Sequence, residues 1–191
     1  MIISKKDLKL YLQKDKKALG IKKRFPSLFG DEIWKFQIAL RKYEYHLNNY
    51  KRNGIKYLFS RGCIFIYRKF KYKKLSLKLG FSIPPNVFGY GLRINHYGLI
   101  VINPHVKIGK WCDIHQGVNI GQNIEQDSIP TIGDNVWIGP GVKIFGKIKI
   151  GNKIVIGANS VVNKSFEIDN VTIGGIPAKK IKDAGDPFNR E

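Results

Sequence analysis

The sequence is short of three things. It has no apolar run approaching the roughly 18 residues that a membrane-spanning helix needs. It has two cysteines, Cys63 and Cys112, too few for a disulfide framework and without the spacing of a metal site. It has few acids: 14 Asp and Glu against 34 Lys and Arg, a formal net charge of +20 over 191 residues. The opening MIISKKDLKLYLQKDKK is broken by charge every few residues, so it lacks the apolar stretch of a secretion signal. No helix-turn-helix or zinc-finger pattern is present, so nucleic acid is not an expected partner. These absences predict a soluble, cytoplasmic chain. The 43% hydrophobic content is that of a folding chain rather than a disordered one.

The positive charge is concentrated. Residues 1–80 contain 22 Lys and Arg and 5 Asp and Glu, whereas residues 81–191 contain 12 and 9. A field of that sign attracts polyanions such as an acidic glycan or the anionic inner face of a membrane. The alternative is a lysine-rich surface with no anionic partner. These first 80 residues also read as helix. DEIWKFQIALRKYEYHL carries Trp34, Phe36, Ile38, Leu40, Tyr43 and Leu47 at mixed three- and four-residue steps, with Asp31 placed to cap it. A second helix is predicted from about Lys56 to Leu79, before Pro84 and Pro85 end the helical region. Its mixture FIYRKFKYKK could lie on a membrane surface. The preferred reading is a helix packed on its own domain with lysines outward.

After residue 100 a period of six takes over. Ile102, Ile108, Ile114 and Ile120 stand in one phase, which resumes at Ile132, Ile138, Ile144, Ile150, Ile156 and Val162. Gly follows directly at Gly109, Gly121, Gly133, Gly139, Gly151 and Gly157. A second set of small or branched residues keeps the same beat: Val106, Cys112, Val118, Val136, Val142, Ile148, Ile154 and Ser160. A helix cannot use this period, because six residues turn it by about 600° and leave the starting face. A coil with three short flat sides can. Each side takes one hexad, the aliphatic points inward, and Gly tolerates the tight corner. Stacked turns at strand spacing form a β-solenoid. QNIEQDSIPT (Gln122–Thr131) breaks the pattern and is predicted to be a loop thrown out from a corner.

These residues carry a resemblance. The [LIV]-G-x-x-[small]-x hexads resemble the hexapeptide-repeat acyltransferases, and most of all serine acetyltransferase and its relatives from surface-polysaccharide clusters. Three stretches match: NHYGLIVIN (Asn95–Asn103), IGPGVKIFGKIKIGNKIVIGANSVV (Ile138–Val162) and GGIPAKKI (Gly174–Ile181). The resemblance spans roughly residues 80–182. It implies an α+β chain, with a basic helical region (1–80), a left-handed parallel β-helix with one protruding loop (81–182) and a tail (183–191). It also implies acetyl transfer from acetyl-CoA to a hydroxyl in a homotrimer whose active sites lie between subunits.

By the same resemblance His96 is the general base, since imidazole can take a hydroxyl proton as the oxygen attacks a thioester. Three positions depart from serine acetyltransferase. Ser82 and Asn95 stand where that family has carboxylates, and Ile129 stands where it has a second histidine. A free amino acid acceptor wants a carboxylate near its ammonium, whereas a sugar hydroxyl does not. A glycan hydroxyl is therefore the expected acceptor, with serine the alternative and a non-catalytic binding protein a further one. Asn95, His115 and Ser82 are its expected contacts. Gly139, Gly141, Gly157 and Ala158 match the corners that hold the pantetheine arm. Pro140 has no N–H, so a donor must come from Gly139 or Gly141. Lys179 and Lys180 are placed to meet the CoA phosphates.

The remaining histidines are weighed by phase. His46 is expected to be structural, and His105 falls on a different side of the coil from His96. His115 follows His96 by 19 residues, one turn of 18 plus one, and so belongs at a corner on the adjacent rung. Counting back from Ile102 puts His96 in an inward-facing slot. A zinc site would need three convergent histidines, which this spacing does not supply, so no metal is expected. Trp111 and Trp137 fall in outward slots, suited to a neighbouring subunit or loop.

Overall fold

A computed structural model describes residues 1–125 and 127–186. Three helices come first: α1 (Lys5–Ala18), α2 (Glu32–Asn53) and α3 (Ile55–Leu79). α1 begins with a reciprocal cap in which Asp7 N donates to Ser4 Oγ at 3.0 Å and Ser4 N donates to Asp7 Oδ2 at 2.8 Å. Asp31 occupies the N-cap position of α2, but its side chain does not cap the helix. It turns back to accept from Ser27 N at 2.8 Å and to pair with Lys23.

Fourteen short strands follow among the described residues. They are β1 (Phe81–Ser82), β2 (Arg93–Ile94), β3 (Ile100–Ile102), β4 (Lys107–Ile108), β5 (Asp113–Ile114), β6 (Asn119–Gly121) and β7 (Thr131–Ile132). Then come β8 (Trp137–Ile138), β9 (Lys143–Phe145), β10 (Lys149–Ile150), β11 (Val155–Ile156), β12 (Val161–Val162), β13 (Thr172–Gly175) and β14 (Ala178–Lys182). They form three sheets, parallel except for the last pair: β1-β3-β6-β9-β12, β4-β7-β10 and β2-β5-β8-β11-β13-β14. The chain visits these first, second and third faces in rotation, which makes the left-handed parallel β-helix. Ile94, Ile114, Ile138, Ile156 and Ile173 stand in register on the third face. Ile102, Ile120, Ile144 and Val162 do so on the first. All ten in-phase aliphatics, from Ile102 to Val162, are buried, as are the eight small or branched residues between them.

The glycines are needed for a different reason from the one expected. A Cβ on Gly133 would stand 2.6 Å from the carbonyl oxygen of Gly151 on the next rung. Close approach of stacked backbones therefore excludes a side chain there. The bend itself is made further along the corner, where non-glycine residues such as Asn135 and Asn159 take positive φ. The irregular segment leaves the edge between the first and second faces after Gly121 and rejoins at Thr131, which already belongs to β7; Gln126 lies outside the described residues. Of the predicted tail, residues 187–191 also lie outside them.

The helices close the lower end of the prism. Phe36 packs edge-on against Phe81 at 5.0 Å, and Tyr72 Oη donates to the Ile83 carbonyl at 2.6 Å. One hydrophobic core runs unbroken from Phe36 to Ile173. Its polar hub is Arg41, which is fully buried. The guanidinium donates to Asp15 at 2.7 Å, Glu44 at 3.0 Å, and the carbonyls of Phe88 and Gly89 at 3.1 and 2.6 Å. Asp15 in turn accepts from Gly91 N and Leu92 N at 2.8 and 3.0 Å. Burial opposes the Arg41 charge, but Asp15 and Glu44 outweigh it and hold the guanidinium above its ordinary pKa.

Two expectations are corrected here. Trp111 does not face outward toward a neighbour. It is buried under α1, with Lys14 and Lys17 at 5.4 and 5.5 Å over its ring and Tyr90 edge-on at 5.9 Å. α3 does not turn only lysines outward, since Phe59, Ile66, Phe70 and Leu77 are exposed as well. His46 is structural as expected, buried with Nδ1 2.7 Å from Tyr57 Oη.

Replacing Arg41 by Leu leaves two buried carboxylates without their cation. Such a loss costs about 3–5 kcal/mol, so the urea midpoint of Arg41→Leu at neutral pH should fall steeply. A midpoint equal to that of the parent chain would show that the hub is not what joins helices to prism.

Candidate active site

The edge between the third and first faces carries the residues that the motifs single out. Its corners, in rung order, are residues 95–99, 115–118, 139–142 and 157–160, followed by the hairpin between β13 and β14. His96, His115, Gly139 with Gly141, and Gly157 with Ala158 thus form one line up the prism. Three rung steps of ~4.8 Å put Ala158 about 14 Å above His96.

His96 faces out, not in. The core slot of its rung belongs to Ile94, which is buried and registers with Ile114. From Ile94 to Ile102 the chain takes eight residues, where Ile114 to Ile120 takes six. The two additional residues swell the corner and leave His96 and Tyr97 exposed. Gly98, at φ 130°, makes the turn that this needs, and its N–H donates to the Leu79 carbonyl at 2.9 Å.

His115 is half-buried on the rung above, and the two imidazole centroids are 6.3 Å apart. Its Nδ1 lies 3.0 Å from the carbonyl oxygen of Ile138. A carbonyl only accepts, so Nδ1 carries the proton and Nε2 of the neutral ring is left as an acceptor. The Trp137 ring, 4.7 Å away, fixes the other side of the imidazole. Trp137 therefore packs within its own chain.

Sequence reasoning missed two residues of this corner. Asp113, buried in register between Arg93 and Trp137, takes Arg93 at 3.4 Å and a hydrogen bond from Asn95 Nδ2. Asn95 and Arg93 thus both meet a carboxylate on the next rung. The 20-residue offset between Arg93 and Asp113 was the available signal, but it is hidden by the same two-residue swelling. Gln116 is the other: its Oε1 is buried without a hydrogen-bond partner among the described residues, an acceptor that a ligand N–H or O–H could satisfy.

The other predicted residues divide. Ser82 lies on the first face beside Val101, just past the corner. Ile129, half-buried against the core, belongs to the edge between the first and second faces, not to the histidine edge. Neither Gly139 nor Gly141 can donate to a ligand as expected. Gly139 N donates to Ile156 O at 3.0 Å, Gly141 N to Gln116 O at 2.9 Å, and Gly157 N to Ile173 O at 2.8 Å. Ala158 is exposed, and among the described residues its N–H reaches no backbone carbonyl. Lys179 and Lys180 lie on β14 at the top of the third face, and Lys180 pairs with Asp183 at 2.8 Å. A shallow hollow of about 440 Å³, lined by Lys107, Thr131, Lys149 and Asp169, lies on the second face, away from this edge. Among the described residues no three His, Cys, Asp or Glu side chains cluster as metal ligands would.

Asn95→Asp tests the corner's electrostatics. It sets a second carboxylate against Asp113, and like charge raises the pKa of one of the pair above its unfolded value. The resulting penalty is present at neutral pH, shrinks as pH falls through the raised value and is gone below the unfolded one. The melting temperature of Asn95→Asp should therefore trail the parent at pH 7 and approach it on acidification. A deficit independent of pH would show that the two side chains do not meet.

Comparison with known proteins agrees with this fold. The family model for bacterial transferase hexapeptide (six repeats) matches residues 129–164. The serine acetyltransferase of Staphylococcus aureus (strain Mu50 / ATCC 700699) is 32% identical over 183 residues, 94% of this chain and 78% of that protein. That of Synechococcus elongatus is 38% identical over 112 residues, 57% of this chain and 46% of that protein. That of Buchnera aphidicola is 38% identical over 110 residues, 56% of this chain and 40% of that protein. The matches thus span less than half the length of these last two relatives. The crystal structure of serine acetyltransferase from Brucella abortus strain S19 superposes with a TM-score of 0.67 at 27% identity, over 93% of this chain and 69% of that one. The same organism's enzyme in complex with coenzyme A gives 0.68 at 26%, over 95% and 70%. By its hexads, its three-faced coil and its near full-length match to the Staphylococcus protein, this chain belongs to the serine acetyltransferase family of hexapeptide-repeat transferases.

Proposed function

We propose that this chain is an acetyl-CoA-dependent O-acetyltransferase that works by direct transfer. The observation that carries the reading is the single edge on which two imidazoles stand below the Gly157–Ala158 corner. The thioester arm lies along that edge, with the exposed Ala158 N–H as donor and Lys179 and Lys180 at its upper end for the CoA phosphates. His96 takes the proton of the acceptor hydroxyl as its oxygen attacks the thioester carbonyl. The tetrahedral intermediate collapses, the thiolate leaves, and the proton returns to it from the imidazolium. No enzyme thiol is needed: Cys112 is buried and Cys63 sits on α3. His115 is held as a second base or acceptor contact by Ile138 and Trp137. A prism edge is convex, so the opposite wall of the site comes from a neighbouring copy in a trimer. The loop at 122–130, on a different edge, is the segment suited to reach that neighbour.

The relatives' names favour serine as the acceptor over the polysaccharide hydroxyl that the motif departures suggested. A neutral sugar hydroxyl is the second reading, and one observation favours it. The corner carboxylate, Asp113, is buried and already engaged by Arg93 and Asn95, so it does not present a free charge to an ammonium group. Release of CoA thiol from acetyl-CoA, with serine against glycan fragments, separates the two. His96→Ala should lower kcat about 10²–10⁴-fold with little change in KM. Unchanged turnover in His96→Ala together with a collapse in His115→Ala would move the base to His115. No turnover with any hydroxyl acceptor would sink the enzymatic reading.

A further inference from the structure

α3 has two apolar faces, and its own fold uses one. Tyr57, Tyr72 and Leu79 are buried, and Phe65 and Leu75 pack against the core. On the opposite side Ile66, Phe70 and Leu77 are 66%, 64% and 84% exposed. At 3.6 residues per turn these three fall within about 40° of one another. Phe59, 87% exposed, is a further bare aromatic on the other side of the kink at Arg61. α3 carries eight Lys and Arg and no Asp or Glu, and Lys69, Lys73 and Lys74 flank the line. The loop before α2 repeats this chemistry. Phe25, Leu28 and Phe29 are exposed beside Lys22, Lys23 and Arg24, and the start of α2 is tied to the end of α3 by Lys78 and Glu32 at 3.1 Å.

We propose that the outer face of α3, with the 22–29 loop, docks on the surface of an anionic lipid bilayer. An exposed line of Phe, Ile and Leu bordered by cations inserts shallowly while its lysines meet lipid phosphates. The helix does not cross: among the described residues none is long and apolar enough. Charge chooses the occupant. A second copy would bring its own eight cations against these, whereas an anionic surface neutralises them. The crowding of cations is already felt at Lys42, whose pKa is lowered by burial and by Arg68 and Lys71. This inference does not depend on which hydroxyl is acetylated.

Cys63 allows a test on the full chain, because it lies on α3 and is the exposed one of the two cysteines. A polarity-sensitive fluorophore on Cys63 should shift to the blue with vesicles containing about one-third phosphatidylserine and not with phosphatidylcholine alone. The chain should co-sediment with the first and be released by salt. Phe59→Gln/Phe70→Gln should bind about tenfold more weakly, because two exposed apolar anchors are lost. Their exposure predicts an unchanged melting curve and unchanged turnover. Equal binding to both vesicle types, or to neither, overturns the proposal. So does a double variant that binds vesicles like the parent but sediments as a smaller assembly, which would make the face a contact between copies.

Discussion

The structure depends on rungs that stack in register. Each rung donates its N–H groups to the carbonyls of the next, and each places an aliphatic side chain over the one below. Burying such a side chain is worth about 1.5–3 kcal/mol, and every face repeats the gain. The spacing leaves so little room at the corners that a Cβ on Gly133 would meet the Gly151 carbonyl. Faces therefore tolerate no insertion. Corners do, because a longer corner changes the path outside the prism without disturbing the pairing. Two departures from the period, the swelling at 95–99 and the segment that leaves after Gly121 and rejoins at Thr131, are corner events. The first carries His96.

A solenoid exposes its terminal rungs, and this one closes them by different means. At the upper end β14 folds back antiparallel on β13. At the lower end the helices cover the first rung, and Arg41 makes the join directional. Its guanidinium bridges α1, α2 and the carbonyls of Phe88 and Gly89, while Asp15 holds Gly91 and Leu92 by their N–H groups. A purely apolar contact could slide; this one has a single geometry. The same join anchors the chain just ahead of Arg93 and Asn95, the two residues that meet Asp113. Support for the histidine corner thus comes partly from helices that do not form it.

The corner shows how a repeat couples side chains on adjacent rungs. Asn95, next to the histidine, is held by the carboxylate of Asp113 on the adjacent rung. Arg93 engages it too, so this buried carboxylate ties together the two residues that lead into the histidine corner. The match to the hexapeptide family model lies within the coil, at residues 129–164.

The coil was legible because it is local arithmetic. An aliphatic every sixth residue with Gly behind it can be buried in one way, and Ile102 through Val162 all obey. α2 and α3 were legible for the same reason, from apolar spacing within each segment. What lay beyond the sequence were facts about separated residues. Arg41 and Asp15 read as two surface charges until folding buries them together. Trp111 reads as an outward residue until α1 covers it. Register counted from Ile102 sent His96 inward, and only the swollen corner shows that it faces out. Repetition writes the fold into the order of residues; the site rests on where that repetition slips, and a slip has meaning only once its neighbours on the next rung are in place.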